Sequence, residues 1–93
     1  MDWIRSLTTL SLTTWLGLLA AALTTAANVP QVLKAWRTRE TRDLSLKMTL
    51  ILASGLALWV VYGILQSDSV IVVANAAGLL LALSLTLLKL RFG

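Results

Sequence analysis

The 93-residue chain has no cysteine and no histidine, and it has only four acidic residues. Without cysteine it can form neither disulfides nor thiolate metal sites, and without histidine it lacks the usual general base and commonest metal ligand. The acids fall in loops or at predicted helix ends, where they form no cluster: Asp2, Glu40, Asp43 and Asp68. The sequence therefore predicts a protein that is not an enzyme and holds no metal or cofactor.

Charge of either sign is scarce. Only 13% of the residues are charged and 58% are hydrophobic, with a mean hydropathy of +0.86, whereas a soluble domain is about 25% charged and about 45–50% apolar. A soluble fold of this size exposes most of its residues, so it could not hide this much apolar surface from water. The composition predicts a membrane protein.

The charged residues leave three long stretches without Asp, Glu, Lys or Arg: 6–33, 48–67 and 69–88. A helix needs about 20 apolar residues to cross about 30 Å of hydrocarbon. The stretches predict an all-α protein, a bundle of three transmembrane helices in one domain spanning 1–93, with the helices at about 11–35, 47–66 and 70–90. The N-terminal part also resembles a signal peptide, but its apolar character continues through Leu33.

Basic residues are distributed unevenly around the predicted spans. Seven of the eight Lys and Arg residues lie in the first connection, 34–47, or in the C-terminal tail, and the second connection has none. Because short basic loops stay in the cytoplasm, we expect the N-terminus outside and the C-terminus inside. The net charge of +4 then reflects topology, and the expected partner is membrane lipid, not nucleic acid.

Three helices cannot enclose a polar path once their own side chains are packed. Transport by this chain would therefore require an oligomer. We expect a parallel homodimer of six helices around a central cavity.

A short set of neutral polar and aromatic residues lies within or at the ends of the predicted spans, where such groups need partners or a wet cavity. Hydroxyl groups here are expected to bond back to helix carbonyls, and Trp3, Trp15, Trp36 and Phe92 are expected to be interfacial anchors. The set is Thr24, Thr25, Asn28, Pro30, Gln31, Ser54, Trp59, Tyr62, Gln66, Asn75 and Ser84.

Three members of this set are the most informative. Pro30 leaves the carbonyl of Ala26 without its helical donor, which predicts either a static kink or a hinge. Asn75 lies deep in the last span, where its amide makes either an interhelical hydrogen bond or a substrate contact. Trp59 shares a helix face with Tyr62, and an indole can stack on a sugar ring while an amide bonds to hydroxyls.

The order of these pieces resembles the SemiSWEET bacterial sugar transporters of the PQ-loop and SWEET family. The resemblance rests on TTAANVPQV at 24–32, TRDLS at 41–45, LWVVYG at 58–63 and the Ala-Asn pair at 74–75. It implies a PQ-loop fold in the bacterial cytoplasmic (inner) membrane. It also implies facilitated diffusion of mono- or disaccharides by alternating access in a homodimer.

The resemblance assigns roles to individual residues. It implies that Trp59 and Asn75 bind the sugar, that Pro30 and Gln31 form the hinge, that Tyr62, Gln66 and Asp68 form the extracellular gate, and that Asn28 lies at the cytoplasmic gate. Gln66 stands where an arginine is expected to pair with Asp68, and Asn28 stands where a bulky aromatic is expected. Both gates are therefore expected to be more neutral or more polar than is typical of the family.

Other functions fit the same composition. A small holin-like pore is also short, apolar and basic at its end, and a PQ-loop relative could carry a non-sugar solute such as an amino acid or cation, or serve as an assembly subunit. The lack of an intramembrane acid disfavours a cation carrier.

Overall fold

The computed structural model describes residues 12–93, which form three long α-helices: α1 at Leu12–Thr38, α2 at Leu46–Leu65 and α3 at Ser69–Phe92. At 1.5 Å per residue they are about 40, 30 and 36 Å long. All three are long and apolar enough to cross a membrane. The prediction of an all-α, three-span chain is confirmed for this part, and the predicted outer N-terminus, the start near Ser11 and the anchor Trp3 lie outside it.

Two helices extend further than the charge pattern predicts. The predicted ends at residues 35 and 90 are too early, because α1 continues to Thr38 and α3 to Phe92. The first charged residue marks the end of the apolar span, but a helix can continue into the headgroup region. Basic residues in the last turn favour this continuation through the helix dipole, with Arg37 in α1 and Lys89 and Arg91 in α3.

The helix starts are capped by side chains. The Ser45 hydroxyl accepts the N–H of Met48 at 3.2 Å at the start of α2, and the Asp68 carboxylate accepts the N–H of Ile71 at 3.1 Å at the start of α3. Each cap satisfies a backbone donor that has no partner inside its helix. These two residues therefore fix where α2 and α3 begin.

The turn between α2 and α3 is only three residues long, Gln66 to Asp68. The N–H of Asp68 bonds to the carbonyl of Gly63, and the N–H of Ser67 bonds to that of Ile64. Together with the positive φ of 57° at Ser67, these bonds form a Schellman motif. The motif reverses the chain tightly and sets α3 antiparallel beside α2.

The three helices form a single layer in the order α1, α3, α2. Helix α3 packs against both others, whereas α1 and α2 barely touch. The described part measures 44 × 23 × 14 Å, so it is as long as its longest helix and not much thicker than one helix with its side chains. The layer leaves a groove between α1 and α2, with α3 as its floor.

Two glycines permit the closest helix approaches in this layer. A Cβ at Gly17 of α1 would lie 2.7 Å from a Val70 methyl of α3, and one at Gly63 of α2 would lie 2.8 Å from an Ile71 methyl. Small residues allow membrane helices to pack closely in this way. Both contacts lie where the N-terminal halves of α1 and α3 meet the C-terminal end of α2, so the layer is tight at that end.

Most large apolar side chains of the layer point outward. The buried hydrophobic residues within 12–93 are few and mostly small: Val32, Ala53, Ala82 and Leu88. By contrast, Leu12 is 86% and Leu65 76% exposed. An apolar surface of this extent is covered by lipid or by a second protein, as expected of a protein that spans the bilayer.

Candidate functional site

The groove between α1 and α2 contains a cavity of about 370 Å³, which is within the usual range of about 300–1,000 Å³ for small-molecule sites. Its walls are mostly aliphatic and carry no charged side chain. It is lined by Asn28, Gln31, Val32, Ala35, Leu44, Leu52, Leu56, Gly78, Leu81, Ala82 and Leu85. The structure thus brings Asn28 and Gln31, two of the predicted site residues, into one neutral cavity.

The segment of α1 before Pro30 has an unusual hydrogen-bond pattern. The amide of Asn28 donates to the carbonyl of Thr24 at 2.9 Å, and the hydroxyl of Thr24 donates to the carbonyl of Ala20 at 2.9 Å. Between Thr24 and Asn28, the carbonyl of Ala26 has no helical donor, because Pro30 lacks an N–H. Helix α1 continues through Pro30 to Thr38, so its backbone bonding is weakest where it borders the groove.

Asn28 also lines a second cavity of about 390 Å³ between α1 and α3. This cavity is walled by small and hydroxyl-bearing residues of α1, including Ala21 and Thr25, and by Val70 and Ala74 of α3. Asn28 and Gly78 belong to both cavities. The Asn28 side chain, which donates to the Thr24 carbonyl, therefore lies where the two cavities meet.

Trp59 and Tyr62 form an aromatic pair on α2. Their ring centroids lie 5.4 Å apart at an interplanar angle of 85°, an edge-to-face arrangement. With Gly55 and Leu58 they line an open cavity of about 470 Å³. Both rings are about half exposed, Trp59 at 52% and Tyr62 at 48%. The two rings pack against each other within one copy, but the side of the pair that faces away from the chain is not covered.

Asn75 lies on α3, half-buried. Its amide N–H donates to the carbonyl of Ile71 at 2.8 Å, one turn earlier in the same helix. None of these three cavities is lined by both Asn75 and Trp59. Within one copy, the two predicted sugar-binding residues therefore lie on different helices and do not form a closed site.

The outer-gate residues lie around the turn between α2 and α3. The backbone N–H of Gln66 bonds to the carbonyl of Tyr62, and the Gln66 side chain is exposed. Asp68 uses one carboxylate oxygen to cap α3, and within residues 12–93 it makes no ion pair. Asp68 is thus the N-cap of α3, a role that is separate from the gate role implied by the family resemblance.

Comparison with known proteins agrees with this geometry. The family model described as PQ loop repeat matches residues 12–72. The sugar transporter SemiSWEET of Bradyrhizobium diazoefficiens is 45% identical over 78 residues, which cover 84% of this chain and 91% of that protein. The chain belongs to the SemiSWEET family of PQ-loop proteins.

Solved structures of the SemiSWEET family share the three-helix layer. A crystal structure of a bacterial homologue of SWEET transporters superposes with a TM-score of 0.80 at 37% identity, covering 89% of this chain and all of that one. A SemiSWEET in the inward-open conformation gives 0.76 at 38% identity, with 83% of each chain covered. The predicted family and three-helix fold are confirmed. The named relatives are transporters, which agrees with a protein that is not an enzyme.

Sequence reasoning missed a contact network at the C-terminal ends of α1 and α3. The indole N–H of Trp36, expected only as an anchor, donates to the hydroxyl of Ser84 at 2.6 Å, and the Lys89 ammonium donates to the carbonyl of Thr41 at 2.9 Å. Each bond joins residues 48 positions apart. No local pattern signals such a pairing, because it depends on α3 lying beside α1.

Proposed function

We propose that this SemiSWEET chain carries mono- or disaccharides across the membrane by facilitated diffusion. The observation that carries the proposal is a small neutral groove in a chain 45% identical to a named sugar transporter. A sugar is neutral and hydroxyl-rich, so it needs amide groups and a stacking surface more than it needs charge. Asn28, Gln31 and Asn75 supply the amides, and Trp59 supplies the stacking surface.

The transport is uncoupled. Carriers driven by protons use an ionisable group at membrane depth, and 48–67 and 69–88 hold no Asp, Glu, Lys, Arg or His. The groove between α1 and α2 likewise has no acidic side chain to attract a coupling cation. The sugar therefore moves down its own concentration gradient.

The working unit is a parallel homodimer. One copy is a layer 14 Å thick with an open groove, so a second copy facing it would close the groove into a chamber. Each copy contributes one Trp59 and one Asn75 to that chamber. The indole stacks on the sugar, and the Asn75 amide, whose one N–H bonds to Ile71, keeps its oxygen and second N–H for sugar hydroxyls.

Alternating access uses the weak segment of α1 and the turn after α2. Pro30 and Gln31 form the hinge, and Asn28 forms the cytoplasmic constriction. Tyr62, Gln66 and Asp68 close the outer side by hydrogen bonds, without a salt bridge, to their counterparts in the second copy. Asp68 takes part with the carboxylate oxygen that does not cap α3.

The chain acts as one transmembrane domain in the bacterial inner membrane, with its N-terminus outside and its C-terminus in the cytoplasm. This orientation is supported by the basic residues between α1 and α2 and after α3. A carrier must release its substrate, so binding is weak. A millimolar site corresponds to about −4 kcal/mol, which stacking and a few hydrogen bonds supply after desolvation.

The decisive experiment measures sugar counterflow in liposomes that contain only this protein. We expect saturable uptake that related sugars inhibit, and we expect Trp59→Ala and Asn75→Ala each to abolish it while the protein still inserts and dimerises. Trp15→Ala is the matched control, because Trp15 is 57% exposed, close to the 52% of Trp59, but does not line the cavity that Trp59 and Tyr62 share. It should retain uptake.

Three results would contradict the proposal. Leakage of unrelated dyes in proportion to their concentration would indicate a holin-like pore, since a pore has no saturable site. Normal uptake by both Trp59→Ala and Asn75→Ala would exclude the assigned pocket, while saturable inhibition by amino acids but not sugars would indicate a carrier of another solute.

A further inference from the structure

Two guanidinium groups lie over the ring of Phe92, near the C-terminal end of α3. The central carbon of Arg39 is 5.2 Å from the ring centroid of Phe92, and that of Arg91 is 5.5 Å from it. Both distances are within the reach of a cation–π interaction, about 6 Å. Arg39 follows α1 and Arg91 belongs to α3, so one aromatic ring holds cations from two separate parts of the chain.

The Phe92 ring is held in place by contacts with α1. Trp36 meets Phe92 edge to face with centroids 6.2 Å apart, and the Trp36 indole is fixed by its 2.6 Å bond to Ser84. The connection after α1 is tied to α3 by the bond from Lys89 to the Thr41 carbonyl. These contacts give the two guanidinium groups a defined position, unlike basic residues on a free loop.

A polar cavity of about 270 Å³ lies beside this ring. It is lined by Thr38, Arg39, Glu40, Thr41, Arg42, Phe92 and Gly93. The charged side chains in its walls are those of Arg39, Arg42 and Glu40, and none of Arg39, Arg42 and Arg91 forms an ion pair within residues 12–93. The side chains of the cavity and its rim therefore carry a net positive charge.

We propose that this cavity binds the phosphate of an anionic phospholipid, held by Arg39 in its wall and by Arg91 at its rim, beside Phe92. Guanidinium groups bind phosphate oxygens in a bidentate manner, and basic pockets between transmembrane helices suit anionic headgroups. A lipid fits better than a free anion because the cavity lies where α1 and α3 leave the hydrocarbon. Leu87, one turn before Arg91 on the same face, is 56% exposed and offers an acyl chain a surface.

Native mass spectrometry of the detergent-purified protein tests the proposal. Dioleoyl phosphatidylglycerol and dioleoyl phosphatidylcholine, which share their acyl chains, are titrated separately. We expect the protein to prefer phosphatidylglycerol. Arg39→Gln with Arg91→Gln should reduce that preference by about fivefold for each arginine removed, as expected for one basic residue at a membrane surface.

Two further variants separate a built site from general positive charge. Arg37→Gln with Lys47→Gln removes the same charge from positions that do not line the cavity, and it should leave the preference within twofold of the unchanged protein. Phe92→Leu keeps every charge but removes the ring that positions the guanidinium groups, and it should weaken the preference by a smaller factor than the double arginine variant.

The outcomes are distinct. An equal loss of preference in Arg37→Gln with Lys47→Gln would overturn the proposal in favour of diffuse attraction, and displacement of phosphatidylglycerol by equimolar inorganic phosphate would indicate a soluble-anion site. If the double glutamine variant does not fold, Arg39→Lys with Arg91→Lys replaces it. That variant keeps the charge and loses the bidentate geometry, so an unchanged preference in it would also overturn the proposal.

Discussion

Ser67 occupies the one position of the α2–α3 turn where the backbone is left-handed, with φ at 57°. A residue with a Cβ pays about 1 kcal/mol or more for this conformation, and glycine does not. We therefore expect Ser67→Gly to stabilise the protein by roughly 1 kcal/mol and Ser67→Val to destabilise it. Thermal unfolding in detergent, followed by circular dichroism, measures both changes.

A matched control for this turn is Ser67→Ala. Alanine has a Cβ, as serine does, so its stability should stay close to that of the unchanged chain. A stabilising effect of alanine equal to that of glycine would show that the backbone conformation is not the cause.

At the scale of single residues, the sequence predicts the chemical character of the candidate site better than it predicts which residues are in contact. Asn28 and Gln31, predicted for the cytoplasmic gate and the hinge, line one cavity, and Trp36, predicted only as an interfacial anchor, also bonds to Ser84. The N-cap role of Asp68 could have been predicted, because an Asp directly before a long apolar run is a common helix start. The cation pair on Phe92 could not, since it depends on which helices are neighbours.

At the scale of helices, Gly63 allows a close contact of α2 with α3. Gly63→Ala places a Cβ 2.8 Å from Ile71 and 3.0 Å from Val72, so the helices must separate or the neighbouring methyl groups must shift. We expect a loss of stability of about 1–3 kcal/mol, as for other overpacked contacts, in the same unfolding measurement.

Gly78→Ala is the control for this contact. Its Cβ would meet Leu56 at 3.5 Å, an ordinary van der Waals distance, so the variant should be at least as stable as the unchanged chain. If Gly63→Ala is tolerated equally well, the close approach of α2 and α3 does not contribute to stability.

Helix α1 differs from the other two because Pro30 lies inside it. Pro30→Ala restores an N–H that can bond to the carbonyl of Ala26, which stiffens α1 by up to about 3 kcal/mol. We expect slower sugar exchange with nearly unchanged equilibrium binding, measured by counterflow and by a direct binding assay. Val29→Ala leaves the backbone bonds intact and should not slow exchange, and an unaltered rate in Pro30→Ala would assign Pro30 to a static kink.

The number of helices was predictable because charges are expensive in hydrocarbon, so the stretches without them mark the spans. The C-terminal ends of α1 and α3 were not predictable, because a helix can continue beyond the end of its apolar surface. The order α1, α3, α2 was also not predictable, because the order of three helices along the chain does not determine which of them lies in the middle of the layer.

At the scale of the whole molecule, the lack of Asp, Glu, Lys, Arg and His in 48–67 and 69–88 has a functional outcome. We expect the rate of sugar uptake into liposomes to differ by less than twofold between pH 6 and pH 8 and not to respond to an imposed proton or sodium gradient. A sugar gradient alone should drive it. Accumulation of sugar above its external concentration when a proton gradient is imposed would contradict facilitated diffusion.

The three-residue turn between α2 and α3 limits how this chain can change over evolution. Adding a single residue there would rotate α3 by about 100° relative to α2, which would turn Asn75 and Gly78 away from the neighbours that they now face. The seven residues between α1 and α2 impose a weaker constraint, because a residue added after Arg42 would leave the contacts of Arg39 and Thr41 with α3 in place. Natural insertions and deletions should therefore be tolerated in the longer connection and be rare in the shorter one.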